Sequence, residues 1–491
     1  MLYWRVDERM MEFETVIGLE VHAQLNTQSK IFCGCSTRFG ASPNENTCPV
    51  CLGLPGALPV LNGKVVELAL RAALAVNCDI PPTSIFARKN YFYPDLPKGY
   101  QISQYDQPLA VNGYLRVRTA ENERKIRIMR IHMEEDAGKL LHEGVEDHGN
   151  FSYVDLNRAG VPLIEIVTEP DIRSPEEAYL YLKELKTILQ FCRVSEANME
   201  EGNLRCDANI SIREKGASKL GTRVEIKNLN SFKNVLKALE HEIDRQQKEI
   251  ASGKEIIQET RLFNADRGTT EPMRSKEEAQ DYRYFPEPDL LPLEIGPELL
   301  SRIKESLPEL PEAKRKRFQH DYHLSASDSI TLTEEIVLAD FYEQTVRLSG
   351  EPKSSANWIL RDVMEKVNVS GKPVSGSQMS PGHLAELIGL IKQGTISGSQ
   401  AKEVFNEMWN SGKMPHQIVR ERNMTQLSDE ASVLQFIDQA LSANPDLVSR
   451  YRNGEIKLLG ALVGSVMKAS GGKTNPGLVN RLLKDRLAKD I

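Results

Sequence analysis

Four of the seven cysteines stand close together, as Cys33-x-Cys35 and, after a short loop, Cys48-x-x-Cys51. Two tight thiol pairs suit a tetrahedral thiolate site for zinc, and with four sulfurs and no open position that zinc would be structural. The plainer reading is four reduced thiols in a loop, since disulfides are disfavoured inside the cell. Cys78, Cys192 and Cys206 are isolated and read as small buried hydrophobes. Carboxylates and imidazole form a second constellation. Glu20 and His22 are two apart in an alternating run, which puts both on one strand face about 6–7 Å apart. His132-Met-Glu-Glu-Asp136 closes another such run, and Glu165 sits inside the apolar segment Leu163 to Val167. A carboxylate there must be paired, protonated or bound to metal. Together these segments offer oxygen ligands to a hard divalent ion such as Mg2+, which keeps positions free for substrate phosphates. The histidine leaves Mn2+, or contact through water, open. A solvated strand face is the bland alternative.

No phosphate loop accompanies this cluster. Gly471-Gly472-Lys473-Thr474 resembles the end of one, but the earlier glycine it requires falls on Met467. An ATP site would therefore be built from a polar strand face, with Arg205, Asp207, Asn209, Arg223, Glu225 and Lys227 as candidates. Three further segments mix aromatic and basic side chains: Arg88 to Tyr93, Tyr100 to Tyr105 and Tyr282 to Pro288. Such groups can stack on a single-stranded nucleic-acid end. Hairpin aromatics packing on a core is the equally available reading.

The elements that must position these residues are strands for the first ~290 residues. In Val16 to Leu25, the residues Ile17, Leu19, Val21, Ala23 and Leu25 share one face while Glu20 and His22 share the other. Leu204 to Ile212 and Thr222 to Lys227 repeat the pattern, as an antiparallel sheet with one packed and one wet face requires. Ser174, Pro175 and Glu177 spell a helix start with a capping box, and a second helix is expected from about Phe232 to Ala251 with Gly253 past its end. Near Pro288 to Pro297 the texture changes to helical periods punctuated by glycine and proline, with linkers at Gly350-Glu351-Pro352 and Ser370 to Gly382. The expected class is α+β: an antiparallel-sheet domain over 1–297, including the cysteine loop 33–51, an all-α domain over 298–415, and a small helical tail over 416–491.

Composition sets the outer bounds. The 491 residues are 40% hydrophobic and 27% charged, which excludes collagen-like and largely disordered chains. No stretch approaches the ~20 apolar residues of a membrane span, and the mixed charges of residues 1–12 fit neither a secretory signal nor a transit peptide. A cytoplasmic protein without membrane or DNA partners is the expectation. The net charge of −7 conceals an asymmetry, because residues 450–491 carry nine Lys/Arg against three Asp/Glu and so leave −13 elsewhere.

Eight segments carry a resemblance. They are Val16 to His22, Arg88 to Asp95, His132 to Gly138, Asp155-Leu-Asn-Arg158, Pro162 to Glu165, Glu200 to Asn209, Lys227-Asn-Leu-Asn230 and Asp281 to Pro288. These resemble the B subunits of the aspartyl/glutamyl-tRNA amidotransferases, the GatB family, from Phe13 to the C-terminus. The resemblance implies a cradle-shaped first domain, a helical domain and a YqeY-like tail. It implies ATP- and Mg2+-dependent phosphorylation of the side-chain carboxylate of Glu-tRNA(Gln) or Asp-tRNA(Asn), then amidation by ammonia from a glutaminase A subunit, within a heterotrimer completed by a C subunit. The family's metal ligands fall on Glu20, His22, Glu135 and Glu165, and the Cys33, Cys35, Cys48 and Cys51 zinc site occurs in part of the family. Arg205, Arg223 and Lys227 are assigned from the strand face to the transferred phosphoryl group. Lys457, Lys468 and Lys473 of the basic tail would meet tRNA phosphates. Residues before Phe13 extend past the family's usual start, which makes Met10 or Met11 an alternative initiator. Two rivals remain: a zinc-stabilised tRNA-binding scaffold with no chemistry of its own, and a metallohydrolase that would cleave its substrate without ATP.

Overall fold

The computed structural model describes residues 12–120, 122–141, 151–273, 282–371, 373–424, 429–471 and 474–489. Lys473, Met10 and Met11 lie outside them. The chain forms two compact units that part after Pro311.

The first unit contains all the strands among the described residues. In chain order these are β1 (Phe13–Gln24), β2 (Thr83–Ser84), β3 (Phe86–Asn90), β4 (Tyr100–Gln104), β5 (Ala110–Arg118), β6 (Glu123–Glu135), β7 (Lys139–Leu141), β8 (Tyr153–Asp155), β9 (Pro162–Thr168), β10 (Leu204–Glu214), β11 (Val224–Lys227), β12 (Glu259–Asn264), β13 (Thr269–Pro272), β14 (Phe285–Pro286) and β15 (Leu293–Glu294). Eight make one sheet in the order β13-β12-β11-β10-β1-β9-β6-β5, and β14-β3-β4 make a second. The large sheet is antiparallel, as expected, except that β11 and β12 run parallel.

Strand alternation explains which face is dry. Ile17, Leu19, Val21 and Ala23 of β1 join Leu204, Cys206, Ala208 and Ile210 of β10 in one apolar core with helices α1 (Gly63–Ala75), α2 (Pro175–Phe191) and α3 (Phe232–Ala251). Burial of each large aliphatic side chain there contributes about 1.5–3 kcal/mol. Ser174 caps α2 as expected, its hydroxyl accepting from Glu177 N at 3.1 Å. The reciprocal half of the box is displaced: Glu177 takes Arg173 N at 2.7 Å, and its other oxygen takes Arg124 Nε of β6 at 2.7 Å. Ser231 caps α3, and Gly253 just beyond that helix has φ +79° in the left-handed region.

The first unit runs further than 297. Helix α4 (Pro297–Glu305) buries Ile303 in the same core, so the compact division falls after Pro311. From Glu312 onward the described residues are helical or irregular, with the expected breaks at Gly350 and after Ser370. Two apolar clusters form there, and helix Pro415–Glu421 puts Ile418 and Val419 in the first. The tail's own cluster starts with Val433 on helix Glu430–Ala443, past the expected 416. No described helix is long and apolar enough to cross a membrane.

A salt bridge with a buried carboxylate ties β3 to the segment after β14, and Asp289 Oδ2 lies 3.2 Å from the same guanidinium. Arg88 on β3 donates from Nε and Nη2 to both oxygens of Glu287 at 2.7 and 2.8 Å, and its guanidinium lies 4.1 Å from the centre of the Tyr100 ring. The Glu287 side chain is fully buried. Removing one partner strands a charge, whereas replacing both by apolar groups does not. Arg88→Met, which leaves the buried Glu287 carboxylate unpaired, should therefore cost the first unit about 3 kcal/mol in denaturant unfolding, and adding Glu287→Leu should recover most of it. An equal loss in both variants would show that packing, not charge pairing, holds the sheet.

Candidate active site

The register of the large sheet lines up four polar side chains across four neighbouring strands. His22 of β1 faces Arg205 of β10 on one side and Glu165 of β9 on the other, and Glu165 faces His132 of β6. His22 Nε2 lies 3.3 Å from Glu165 Oε2 and 3.4 Å from Glu134 Oε1. His132 Nε2 lies 3.1 Å from the same Glu165 oxygen and 3.7 Å from Glu134 Oε2. One ligand atom each from His22, Glu134 and Glu165 falls within 4.8 Å of the other two, a donor set that fits a divalent cation.

The electrostatics point the same way. Burial would pull His132 down, but Glu165 and Glu134 outweigh it and push the imidazole up to about 9. His22 is raised by the same two carboxylates against burial. Burial opposes ionisation of Glu134 and Glu165, yet the histidines hold both carboxyls below the usual range. Two buried carboxylates thus draw protons onto two imidazoles, and a divalent ion would supply the same positive charge. Among the described residues, the buried His132 Nδ1 has no hydrogen-bond partner.

Glu20 shares this face but stands outside the three-atom cluster. Its Oε1 accepts from Asn209 Nδ2 at 2.9 Å, and burial together with the neighbouring Glu165 raises its carboxyl above the usual range. Arg205 pairs with Asp136 at 2.8 Å. Lys227 reaches Asp207 at 2.7 Å and Glu225 at 3.0 Å, while Arg223 is exposed at the end of the face. The polar residues expected on β10 and β11 therefore do share one face with the cluster.

Glu135 is the exception. Its Oε1 accepts from Ile102 N at 2.8 Å and pairs with Lys98, and it lines a cavity of about 100 Å³ with Lys30, Cys51 and Tyr100. Residues 131, 133 and 135 share one side of β6, with Ile131 and Met133 in the core, so Glu134 and His132 take the side that faces His22. A register irregularity between Ile128 and Arg130 resets the alternation just before this point. Counting parity back from Met133 selects Glu134. Two more groups at the site lie in segments that the sequence pointed out for nucleic-acid stacking and not for this cluster. Ser103 of β4 donates to Glu134 Oε2 at 3.2 Å, and Lys89 of β3 has its ammonium held protonated, against burial, by Glu134 and Glu165.

The four cysteines also come together, with one sulfur from each within 4.8 Å of the others. Cys48 and Cys51 sulfurs are 3.9 Å apart, close to the about 3.8 Å edge of a tetrahedral zinc–thiolate site. Cys51 is drawn down to about 4 by its bond from Cys33 and by Lys30, while burial and its thiol neighbours push Cys35 up to about 11. Lys30 is fully buried and donates to Asn46 O at 2.7 Å and Leu156 O at 3.3 Å, with Cys51 Sγ at 3.7 Å. The Asp155-Leu-Asn157 segment clasps the loop: Asp155 accepts from Asn44 N at 3.1 Å and Asn157 from Asn46 N at 2.8 Å. These thiols could hold a metal.

In the tail, Lys457 and Lys468 are exposed, whereas Arg450, Arg481 and Arg486 are engaged by Glu455, Glu430 and Asp438.

The family model described as the GatB/GatE catalytic domain matches residues 15–301, and that described as the GatB domain matches residues 340–487. The chain is 55% identical to the B subunit of the aspartyl/glutamyl-tRNA(Asn/Gln) amidotransferase of Thermodesulfovibrio yellowstonii, over 96% of this chain and 99% of that one. It is 54% identical to the protein of the same name from Geotalea daltonii, over 97% and 100%, and 53% identical to that from Carboxydothermus hydrogenoformans, over 98% and 100%. With the family models covering most of its length and relatives matching end to end, the chain belongs to the GatB family, the B subunits of the aspartyl/glutamyl-tRNA(Asn/Gln) amidotransferases.

Proposed function

We propose that the polar face of the large sheet phosphorylates the side-chain carboxylate of glutamate on tRNA(Gln), of aspartate on tRNA(Asn), or of both, using ATP, and then converts it to the amide. The observation that carries this reading is the cluster of His22 with the buried Glu134 and Glu165 on a face also lined by Arg205 and Lys227. A carboxylate resists attack by ammonia because oxide is a poor leaving group. Its oxygen therefore attacks the γ-phosphorus of ATP, the bond to ADP breaks, and an acyl phosphate forms. Ammonia then attacks the carbonyl carbon, the bond to phosphate breaks, and the amide nitrogen gives up a proton to phosphate or solvent.

Each side chain has a part in that sequence. His22, Glu134 and Glu165 would hold Mg2+ or Mn2+, with Glu20 on the adjoining row. Held by these residues, a divalent ion would supply positive charge against the repulsion between the attacking carboxylate and the phosphates. Arg205, Arg223 and Lys227 are the cations of the same face available to the transferred phosphoryl group, and Lys89 approaches from the small sheet. Ammonia would come from a glutaminase A subunit in a heterotrimer with a C subunit, consistent with the relatives being named as B subunits. The four cysteines would hold a structural zinc, and Lys457, Lys468 and Lys473 would meet the phosphates of the tRNA.

Three outcomes follow for the assembled enzyme. Glu134→Gln should lower misacylated-tRNA-dependent ADP release by about 100-fold or more, whereas Glu135→Gln, away from the cluster, should retain it. Equal ADP release from wild type and Glu134→Gln would make the chain a tRNA scaffold. Protons and the cation compete for His22, whose pKa is raised by Glu165 and Glu134, so apparent Mn2+ affinity should go on climbing with pH above the ordinary imidazole range, and a flat profile would remove the imidazole from the site. Replacing Lys457 and Lys468 by Ala should weaken tRNA binding and reduce its log–log salt slope by about 1–2, and unchanged affinity would sink the tail's role.

A further inference from the structure

The three aromatic-and-basic segments converge on the small sheet. Tyr105, just past β4, lies against Tyr284, just before β14, with ring centres 4.2 Å apart and planes 6° from parallel. The neighbouring aromatic contacts are edge-on instead: Tyr284 meets Tyr282 at 6.1 Å and 71°, and Tyr282 meets Tyr91 at 5.9 Å and 70°. Tyr105 is 50% exposed although one face of its ring is covered by Tyr284. The parallel pair thus ends in an open ring face.

This pair borders the cluster. Ser103, which donates to Glu134 Oε2 at 3.2 Å, precedes Tyr105 by two residues, roughly 7 Å along an extended chain. Lys89 Nζ lies 4.7 Å from the centre of the Tyr282 ring, on the strand paired with β4. Burial, with Glu134 and Glu165 close by, raises the Tyr284 hydroxyl, so the ring stays neutral against the acidic centre.

On the strength of the phosphorylation reading above, we propose that Tyr105 and Tyr284 form a stacking platform for an adenine base. Lys89, beside Tyr282 and on the strand paired with β4, is the cation available there to the anionic groups attached to the nucleoside. A purine laid on Tyr105 continues an existing parallel stack, and base–aromatic stacking needs no edge-specific hydrogen bonds. The reaction offers two adenines, the base of ATP and the 3′-terminal adenosine that carries the amino acid. Each is joined through one ribose to the group that reacts, a γ-phosphate in one case and a side-chain carboxylate in the other. Both suit a platform beside the cluster rather than on it.

The test is steady-state ADP release by the assembled enzyme, with ATP varied at saturating misacylated tRNA and the reverse. Wild type is compared with Tyr105→Ala, Tyr105→Phe and Glu134→Gln. Loss of the stack in Tyr105→Ala should raise the KM of one substrate about tenfold or more while Tyr105→Phe stays near wild type. A raised KM for ATP identifies the nucleotide as the source of the adenine, and a raised KM for tRNA identifies the 3′ end. Two unchanged KM values, or a Phe variant as impaired as the Ala variant, overturn the platform. Should Glu134→Gln retain full activity, the underlying phosphorylation reading fails; an inactive Glu134→Gln beside a normal Tyr105→Ala removes the platform alone. Because Tyr105 is half-exposed, an unchanged thermal transition is expected in its variants, and rescue by Phe separates stacking from folding.

Discussion

Two carboxylates buried on a sheet face need positive charge close by, and the centre of the first unit is arranged around that need. Glu134 and Glu165 are 2% and 8% exposed, too buried to rely on water. Two histidines from two different strands answer them, and both imidazoles bind protons more tightly as a result. The arrangement depends on register. A one-residue slip of β9 would send Glu165 into the apolar core and bring Ile164 or Ile166 to the polar face. The apolar side of β1, β9 and β10, packed on α1 to α3, is what forbids that slip, so the core and the site are two faces of one alternation.

The supports around this centre share a habit of pairing a charge across sequence-distant segments. Arg205 on β10 reaches Asp136 beyond β6, Arg88 on β3 holds Glu287 beyond β14, and Ser103 on β4 holds Glu134. Arg88 orders the small sheet and Ser103 joins it to the large one, which lets Lys89 of β3, Ser103 of β4 and Tyr284 just before β14 approach one carboxylate cluster. The cysteine loop is fastened separately, by Asp155 and Asn157 and by the buried ammonium of Lys30 beside Cys51. A positive charge there would offset part of the excess negative charge that four thiolates bring to a zinc ion.

Much of this was legible from pattern. Strict alternation in Val16 to Leu25 and Leu204 to Ile212 defined both faces of the central strands, Ser174 marked a helix start because its hydroxyl satisfies an orphan N–H group, and Gly253 marked a helix end. The cysteine spacing announced a four-sulfur cluster. What escaped was decided by tertiary structure. Glu134 and Glu135 are adjacent and identical, and only the irregularity before Arg130 and the pairing with β9 determine which one meets His22. Ser103 and Lys89 belong to a different sheet, so nothing local connects them with the cluster. Helix α4 has the helical texture of the second unit but packs Ile303 into the core of the first, which is why the compact division falls after Pro311.

Everything proposed for the polar face turns on whether His22, together with Glu134 and Glu165, holds the divalent ion at which the carboxylate and ATP meet. Electron spin-echo spectroscopy of the assembled enzyme loaded with Mn2+ and ATP reads that bond itself, because imidazole nitrogen bound to Mn2+ modulates the echo. Ligation by His22 predicts nitrogen modulation from one directly bound histidine in wild type and its loss in His22→Phe. Modulation that persists in His22→Phe, or is absent from wild type with Mn2+ bound, would contradict it.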